Sequence, residues 1–432
     1  MQHNMKELYQ AFLNSSGVCT DTRAIKENSI FFALKGANFN GNEFANEALN
    51  KGAKYVVIDE DVLPVNEFVF KVNNVLEGLQ ELANYHRKQF DIPVIGITGS
   101  NGKTTTKELV YAVLSNTMNP LVTKGNLNNH IGVPLTLLEL NKSHDVAIIE
   151  MGASKPGDIN ELAGIALPTF GIITNIGKAH IEGFGSPEGV FQTKTELYRQ
   201  MNDDHKTILV NNAYTELLRE AKHTSCKTVT FELGYGHSKA VNYSYKPQST
   251  YLPMAAIEYE DTEIISKLIG SYNCENLAVA TSVGLEFGLS IEQVKNGVEN
   301  YVPNNNRSEL QLSGSNIIIW DAYNANPSSV AKAIDNMETM DSKKSKLLIL
   351  GDMNELGSIS KTEHQQIIDR CKKLNMNTIF VGPLYTEFQL ANTYVSVDQL
   401  INSNSLAELE NTLILIKGSR SIRLEKLREQ FN

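Results

Sequence analysis

The stretch that most constrains this chain is residues 94–110, VIGITGSNGKTTTKELV. An apolar, β-branched run (Val94, Ile95, Ile97) enters a glycine-rich turn, and a polar–apolar helical pattern opens at Lys103. Backbone N–H groups of such a turn, together with the start of a helix, form a cradle for phosphate oxygens. In that reading Gly99, Ser100, Asn101, Gly102, Thr104 and Thr105 surround a nucleotide's phosphates. Lys103 then reaches the terminal phosphates and the Thr104 hydroxyl is offered to Mg²⁺. The strict G-x-x-x-x-G-K-[ST] pattern is broken, because Ile97 stands at its first glycine, while GKTTT is intact. A strand–turn–helix with this loop implies an α/β protein whose sheet delivers the loop at its carboxyl edge.

With 432 residues the chain exceeds what one core usually serves, so two or three domains are expected. A hydrophobic fraction of 41% beside 20% charged residues is that of an ordinary soluble globular protein. The formal charge of −10, without a compact basic stripe, argues against a nucleic-acid partner. The four cysteines (Cys19, Cys226, Cys274, Cys371) are scattered without C-x-x-C spacing, which suits a reducing compartment. No apolar run approaches the roughly 20 residues of a membrane span, and MQHNMKELYQ has no signal-peptide core. A cytoplasmic, monomeric protein is expected.

Three segments follow from the hydrophobic patterns. In residues 1–90, runs at 29–34 and 55–58 read as strands, and 42–51 has helical spacing. The cluster Thr20-Asp21-Thr22-Arg23 reads either as a turn with an internal ion pair or as a ligand site. Asp91-Ile92-Pro93 marks a boundary. Residues 91–302 repeat strand then helix, with strands at 94–98, 145–150, 170–175 and 207–211, implying a parallel sheet covered on both faces. Residues 235–270 read as short antiparallel strands closing this domain, and 303–306 as a linker. Residues 303–432 carry strands at 317–320, 346–350, 378–381 and 413–416, the last three running into Gly351, Gly382 and Gly418. That is a Rossmann-like arrangement without G-x-G-x-x-G.

Candidate groups gather at the strand ends. Glu150 reads as a metal ligand or a helix-capping carboxylate, and His180 as a metal-site or a structural histidine. Lys194 shares a helical face with Val190, Leu197, Tyr198 and Met201. It either snorkels or is kept neutral by desolvation, and a neutral amine can take up CO₂ to become a carbamate.

Several motifs resemble one family end to end: TDTR, FFALKGANFNGNEFANEALNKGA, GITGSNGKTTTKEL, KGNLNNHIGVPLTLLEL, EMGASKPGDI, TNIGKAHIEGFGS, KTEL, GSYNCEN, DAYNANPSS, GDMNELG and IKGSRS. They resemble the ATP-dependent Mur ligases, and most closely the members that add D-alanyl-D-alanine to UDP-N-acetylmuramoyl-tripeptide. The resemblance implies three domains: a UDP-substrate domain at 1–90, a central ATPase at 91–302 and a Rossmann-like ligase domain at 303–432. It implies ATP, two Mg²⁺ ions and a lysine carbamate formed from CO₂ as cofactors. Thr104, Glu150, His180 and carbamylated Lys194 then lie around the metals, with Lys103, Glu150, His180 and Lys194 catalytic. Asn273, Asn276, Arg307 and Asp321 fall at nucleotide positions, and Asp21, Arg23, Asn128 and Asn129 at UDP-muramoyl positions. Asn324 and Asn326 are candidates for D-Ala-D-Ala contacts. Two departures stand out: Tyr272 replaces the histidine of G-x-H-N, and Trp320 replaces an acid often found before Asp321. The alternatives are the diamino-acid-adding ligase of the preceding step, a folylpolyglutamate synthetase, or a catalytically silent ATP-binding partner.

Overall fold

The computed structural model describes residues 4–178, 180–233, 238–241, 243–245, 250–304 and 306–431. Asn305 of the expected linker, Ala179 beside His180, the first three residues of the polar N-terminus, and residues 234–237, 242 and 246–249 of the Tyr/Ser-rich stretch lie outside the described residues.

The N-terminal sheet is parallel, in the order Val18–Cys19, Ile30–Phe32, Tyr55–Ile58, Val69–Lys71. The helix expected at 42–51 is shorter: Gly41–Phe44 is a 3₁₀ turn and the α-helix runs Ala45–Asn50. The reason is Asn42, which is buried and donates to Asp59 Oδ1 at 2.8 Å while its own N–H is held by Asn40 Oδ1. Side-chain bonds to nearby backbone compete with a regular helix start.

Helix Val75–Arg87 ties this unit to the next. Asn84 Nδ2 donates to the carbonyls of Gly164 and Ile165 at 2.9 and 3.1 Å. Buried Arg87 donates to the carbonyls of Ala166, Phe90 and Ile92. One hydrophobic core runs continuously from Leu8 and Phe32 through Leu79 and Leu82 to Ile149 and Leu162. The chain passes into the second unit at residues 91–93, yet the packing does not break there.

The central sheet has six parallel strands in the order Lys227–Phe231, Thr207–Asn211, Phe170–Ile173, Val94–Thr98, Val146–Glu150, Pro120–Val122. Its two edge strands were not legible in the sequence. Ile95, Ile97, Val146 and Ile148 face helices Lys103–Leu114, Cys274–Glu286 and Ile291–Asn300. Val94, Ala147 and Ile149 face Val75–Arg87, Asp158–Ala166 and Pro187–Met201. Burial on both faces explains the unbroken apolar runs. The Tyr/Ser-rich stretch forms an antiparallel hairpin of two eight-residue strands, Leu252–Tyr259 and Thr262–Ile269, flanked by Ser238–Ala240 and Tyr243–Tyr245.

The C-terminal sheet runs Glu309–Ser313, Asn316–Asp321, Thr412–Lys417, Ser345–Gly351, Asn377–Val381, Thr393–Tyr394, and only its first pair is antiparallel. Cores cover both faces. The last strand is followed by 3₁₀ turns (Arg420–Ile422, Leu424–Phe431) instead of the α-helix its glycine suggested. The carboxyl ends of the central strands and of this second sheet face one another across a shared cavity.

Candidate active site

The phosphate loop leaves strand Val94–Thr98 through Gly99 at φ +141°, where a Cβ would lie 2.0 Å from Thr174 Oγ1. Gly102, at φ +80°, caps helix Lys103–Leu114, and its missing side chain makes room for Asn276 Oδ1. Only glycine meets both demands without strain. Asn276 accepts from Thr106 Oγ1 at 3.0 Å and donates to Asn273 Oδ1 at 2.8 Å, while Asn273 donates to the Ile269 carbonyl. The two asparagines thus brace the loop from the GSYNCEN turn. Lys103 Nζ folds back onto its own loop, donating to the Gly99 carbonyl at 2.7 Å. Burial pulls its pKa below the ordinary lysine value, with the Glu150 charge opposing and Arg307 assisting.

Glu150 ends strand Val146–Glu150 and is 1% exposed. Its Oε1 accepts from Asn128 Nδ2 at 2.7 Å, and its Oε2 has no partner among the described residues. A buried carboxylate oxygen left without a donor is a costly arrangement unless something positive completes it. Asn128, placed by the sequence at the UDP-muramoyl substrate, is therefore engaged with Glu150. Asn129 Oδ1 accepts from the N–H groups of Ile131 and Gly132, just before helix Gly132–Leu137, and the residue lines the cavity.

His180 adopts a left-handed φ of 53° before the short helix Ile181–Phe184. Its Nδ1 lies 2.5 Å from Glu355 Oε2 of the GDMNELG loop, and that contact holds the Glu355 carboxyl below its ordinary range. Helix Pro187–Met201 buries Val190, Leu197, Tyr198 and Met201 together with Lys194, which is 2% exposed. Snorkelling is thereby excluded. Lys194 Nζ has no hydrogen-bond or ion-pair partner among the described residues and lies 5.3 Å from the centre of the Phe184 ring. Burial lowers its pKa well below that of a free lysine, and the Lys103 charge adds to the effect.

The C-terminal unit supplies the far wall. The Arg307 guanidinium stacks on the Tyr323 ring at 3.8 Å, and its Nε has no partner among the described residues. Asp321 pairs with buried Lys417 Nζ at 2.7 Å, and that amine also reaches the Asn324 carbonyl. Asn326 caps helix Pro327–Thr339 and reaches the phosphate loop, donating to Asn101 Oδ1 at 2.6 Å. Further bonds between the units join Lys178 to Glu363 (2.9 Å) and the Glu182 N–H to the Glu355 carbonyl (3.3 Å). Ile359 packs on Ile181, Phe184 and Val190.

These residues enclose a cavity of about 910 Å³. It is lined by Ser100, Asn101, Gly102, Lys103, Thr104, Thr105, Asn128, Asn129, Glu150, His180, Asn273, Asn276, Arg307, Asp321, Asn324 and Asn326. Gly99 and Lys194 are not among the residues that line it. Asp21 and Arg23 do not join it: they form an exposed bidentate ion pair within one turn, and that pair lowers the Asp21 pKa to about 2. Sequence reasoning gave no individual role to Lys417, Tyr323 or Glu355, whereas Asn175, whose Oδ1 receives the Asn101 N–H, belongs to the polar group it marked after strand 170–175. The signal for them was the polar loops at the C-terminal strand ends.

Residues 97–284 match the Mur ligase middle domain, residues 306–420 the domain described as "Mur ligase, glutamate ligase domain", and residues 14–87 that described as "Mur ligase family, catalytic domain". The chain is 34% identical over 426 residues to the UDP-N-acetylmuramoyl-tripeptide–D-alanyl-D-alanine ligase of Bacillus subtilis, covering 95% of this chain and 92% of that one. The chain belongs to the Mur ligase family.

A Synechocystis relative of the same name is 36% identical, over 95% of this chain and 90% of its own. Among solved structures, MurF from Acinetobacter baumannii superposes with a TM-score of 0.86 at 27% identity, covering 100% of this chain and 99% of that one. The MurF ligase from Thermotoga maritima in complex with ADP gives 0.85 at 26%, covering 97% of each chain. Against this Mur ligase frame, Tyr272 fills the histidine's place with its hydroxyl 3.2 Å from Ser308 Oγ, joining the central unit to the chain beyond the linker. Trp320 is fully buried in the C-terminal core, with Nε1 donating to Gln311 Oε1, and does not line the cavity.

Proposed function

We propose that this protein is an ATP-dependent amide ligase. It joins D-alanyl-D-alanine to UDP-N-acetylmuramoyl-tripeptide and yields the pentapeptide precursor of peptidoglycan. The observation that carries the reading is the junction itself: the glycine-rich loop and a buried acid, one of whose oxygens has no partner among the described residues, face Arg307 and Lys417 of the C-terminal unit around one cavity. The relatives named for this reaction support it over nearly the whole chain.

The reaction needs two anions to meet. The tripeptide's terminal carboxylate attacks the γ-phosphorus of ATP, the bond to the β–γ bridging oxygen breaks, and an acyl phosphate and ADP result. The dipeptide's free amine then attacks the acyl carbon, a proton leaves the nitrogen, and phosphate departs as the amide forms. Lys103 serves by leaving the Gly99 carbonyl for the phosphates. Arg307, whose Nε has no partner among the described residues, adds positive charge from the opposite wall. Filling of the cavity by the substrates displaces water and protects the acyl phosphate from hydrolysis.

Glu150 Oε2 and the Thr104 hydroxyl fit a hard divalent cation that keeps several water ligands, as Mg²⁺ does. Bound there, Mg²⁺ supplies positive charge to the phosphate oxygens. Lys194 is suited to carbamylation: burial favours its uncharged form, the uncharged amine adds to CO₂ with loss of a proton, and the resulting carbamate anion would be able to serve a second ion beside His180.

The test is phosphate release from ATP and Mg²⁺ with UDP-muramoyl-tripeptide, with and without D-Ala-D-Ala. Release requiring both substrates, with a pentapeptide product by mass, is the expected result. Release with UDP-muramoyl-dipeptide and a diamino acid instead assigns the preceding step. ATP binding without release under either pair refutes the ligase reading.

A further inference from the structure

Asn101 sits at the crown of the phosphate loop, and its main chain is fixed from the central unit. Its N–H donates to Asn175 Oδ1 at 3.0 Å, and its carbonyl accepts from Thr174 Oγ1 at 2.6 Å and Asn175 Nδ2 at 3.0 Å. Its side chain turns away from this scaffold, toward the C-terminal unit. Three bonds close a ring there: Asn326 Nδ2 donates to Asn101 Oδ1 at 2.6 Å, Asn101 Nδ2 donates to Ser328 Oγ at 3.3 Å, and Ser328 Oγ donates to Asn326 Oδ1 at 2.9 Å. Asn326 Oδ1 also accepts from the Ser329 N–H, so the ring is continuous with the cap of helix Pro327–Thr339. A closed ring of amide and hydroxyl groups is mutually polarising, and losing one member leaves the others unpaired.

We propose that Asn101, Asn326 and Ser328 are positioning residues that seat the C-terminal unit directly on the phosphate loop. The Asn101 side chain then reads the position of that unit and is not a phosphate contact. Asn326 is the other half of the seat and is not a D-Ala-D-Ala contact. Both ends of the Asn101 amide are occupied across the interface, and Asn326 divides its own amide between helix cap and loop. Main-chain anchors on one side and side-chain bonds on the other make Asn101 the shortest mechanical link between the phosphate cradle and the wall carrying Arg307 and Lys417. The link makes phosphate transfer depend on that wall being in place.

The inference rests on the ligase reading, and a double-mutant cycle separates the two. Asn326→Ser keeps a good helix cap but is too short to reach Asn101, and Asn101→Ala removes the other partner. Each single change is expected to lower kcat for dipeptide-dependent phosphate release about tenfold, as for loss of one hydrogen bond to a partner left unpaired. The double change is expected to cost about the same tenfold, because either single change already opens the same ring. Binding of a non-hydrolysable ATP analogue, without the other substrates, is expected to change less than about twofold in each variant. Losses that multiply to about a hundredfold overturn the ring. So does analogue binding weakened as much as turnover by Asn101→Ala, or an Asn326→Ser effect confined to KM for D-Ala-D-Ala. A wild-type protein that ligates neither substrate pair overturns the ligase reading itself.

Discussion

Replacing Lys194 by methionine keeps the side-chain length and apolar stem and removes only the amine. In the free protein Lys194 is 2% exposed, and its amine has no hydrogen-bond or ion-pair partner among the described residues and lies 5.3 Å from the centre of the Phe184 ring. Holding a polar group out of water without compensation costs about 1–3 kcal/mol by protein mutational measures. Lys194→Met is therefore expected to stabilise the free protein by about that amount, raising the melting temperature by about 2–4 °C per kcal/mol for a unit of this size. Activity is expected to move the opposite way. Loss of even an indirect metal-site partner costs about 10–100-fold, so phosphate release should fall at least about 100-fold. The assays are thermal unfolding in metal-free buffer and phosphate release with both substrates. Lys194→Ala, which also leaves space, is expected to regain part of its activity with added acetate or formate. A Lys194→Met protein as active as the wild type removes the residue from the chemistry. One that unfolds several degrees lower shows that the amine has a structural partner, and refutes the desolvation argument.

Asn128→Ala removes the donor to Glu150 Oε1 and should raise the Mg²⁺ concentration needed for half-maximal phosphate release about tenfold. An unchanged Mg²⁺ requirement with a raised KM for the UDP-substrate would return Asn128 to the substrate role its sequence position implied. Gly99→Ala must place a Cβ 2.0 Å from Thr174 Oγ1 at φ +141°; it should destabilise by at least about 2 kcal/mol and abolish ATP-analogue binding, both read by thermal shift with and without nucleotide. The fully buried His364 should give an acid-side loss of stability. Its Nε2 accepts the Met353 N–H and its Nδ1 faces the Ser360 carbonyl, and burial lowers its pKa, with Asp352, Glu387 and Glu363 opposing. The folded-state pKa lies below the unfolded value of about 6.5, so the unfolded chain takes the proton first. Stability is then full above that pH and declines as pH falls below it. The melting temperature of the wild type should drop between pH 7 and 5.5, and less so in His364→Gln.

The phosphate loop was legible because it is local. Strand, turn and helix start lie within one short stretch, and the glycines at 99 and 102 answer steric demands the sequence states directly. The parallel central sheet followed from unbroken apolar runs, since burial on both faces leaves no room for alternation. Its edge strands Pro120–Val122 and Lys227–Phe231 escaped notice: one is three residues long, and the other carries Lys227 and Thr230 on a partly exposed edge. Asn42 broke an expected helix start through Asp59, a partner too distant in sequence for periodicity to register.

Sequence alone carried the strand, glycine-rich turn and helix of residues 94–110, the parallel, doubly covered central sheet, and membership of the Mur ligase family, because local propensity and motif order carry those facts. It left Lys194 between snorkelling and burial, since periodicity gives the face a side chain occupies and not the depth of what covers it. Tertiary structure decided that question by packing Phe184 and its neighbours over the amine. It also turned Asn128 toward Glu150, Asn326 toward Asn101, and Asp21 toward Arg23. The physical reason is common to all three: an amide or carboxylate has several possible partners of similar strength, and only the folded chain fixes which one is within reach.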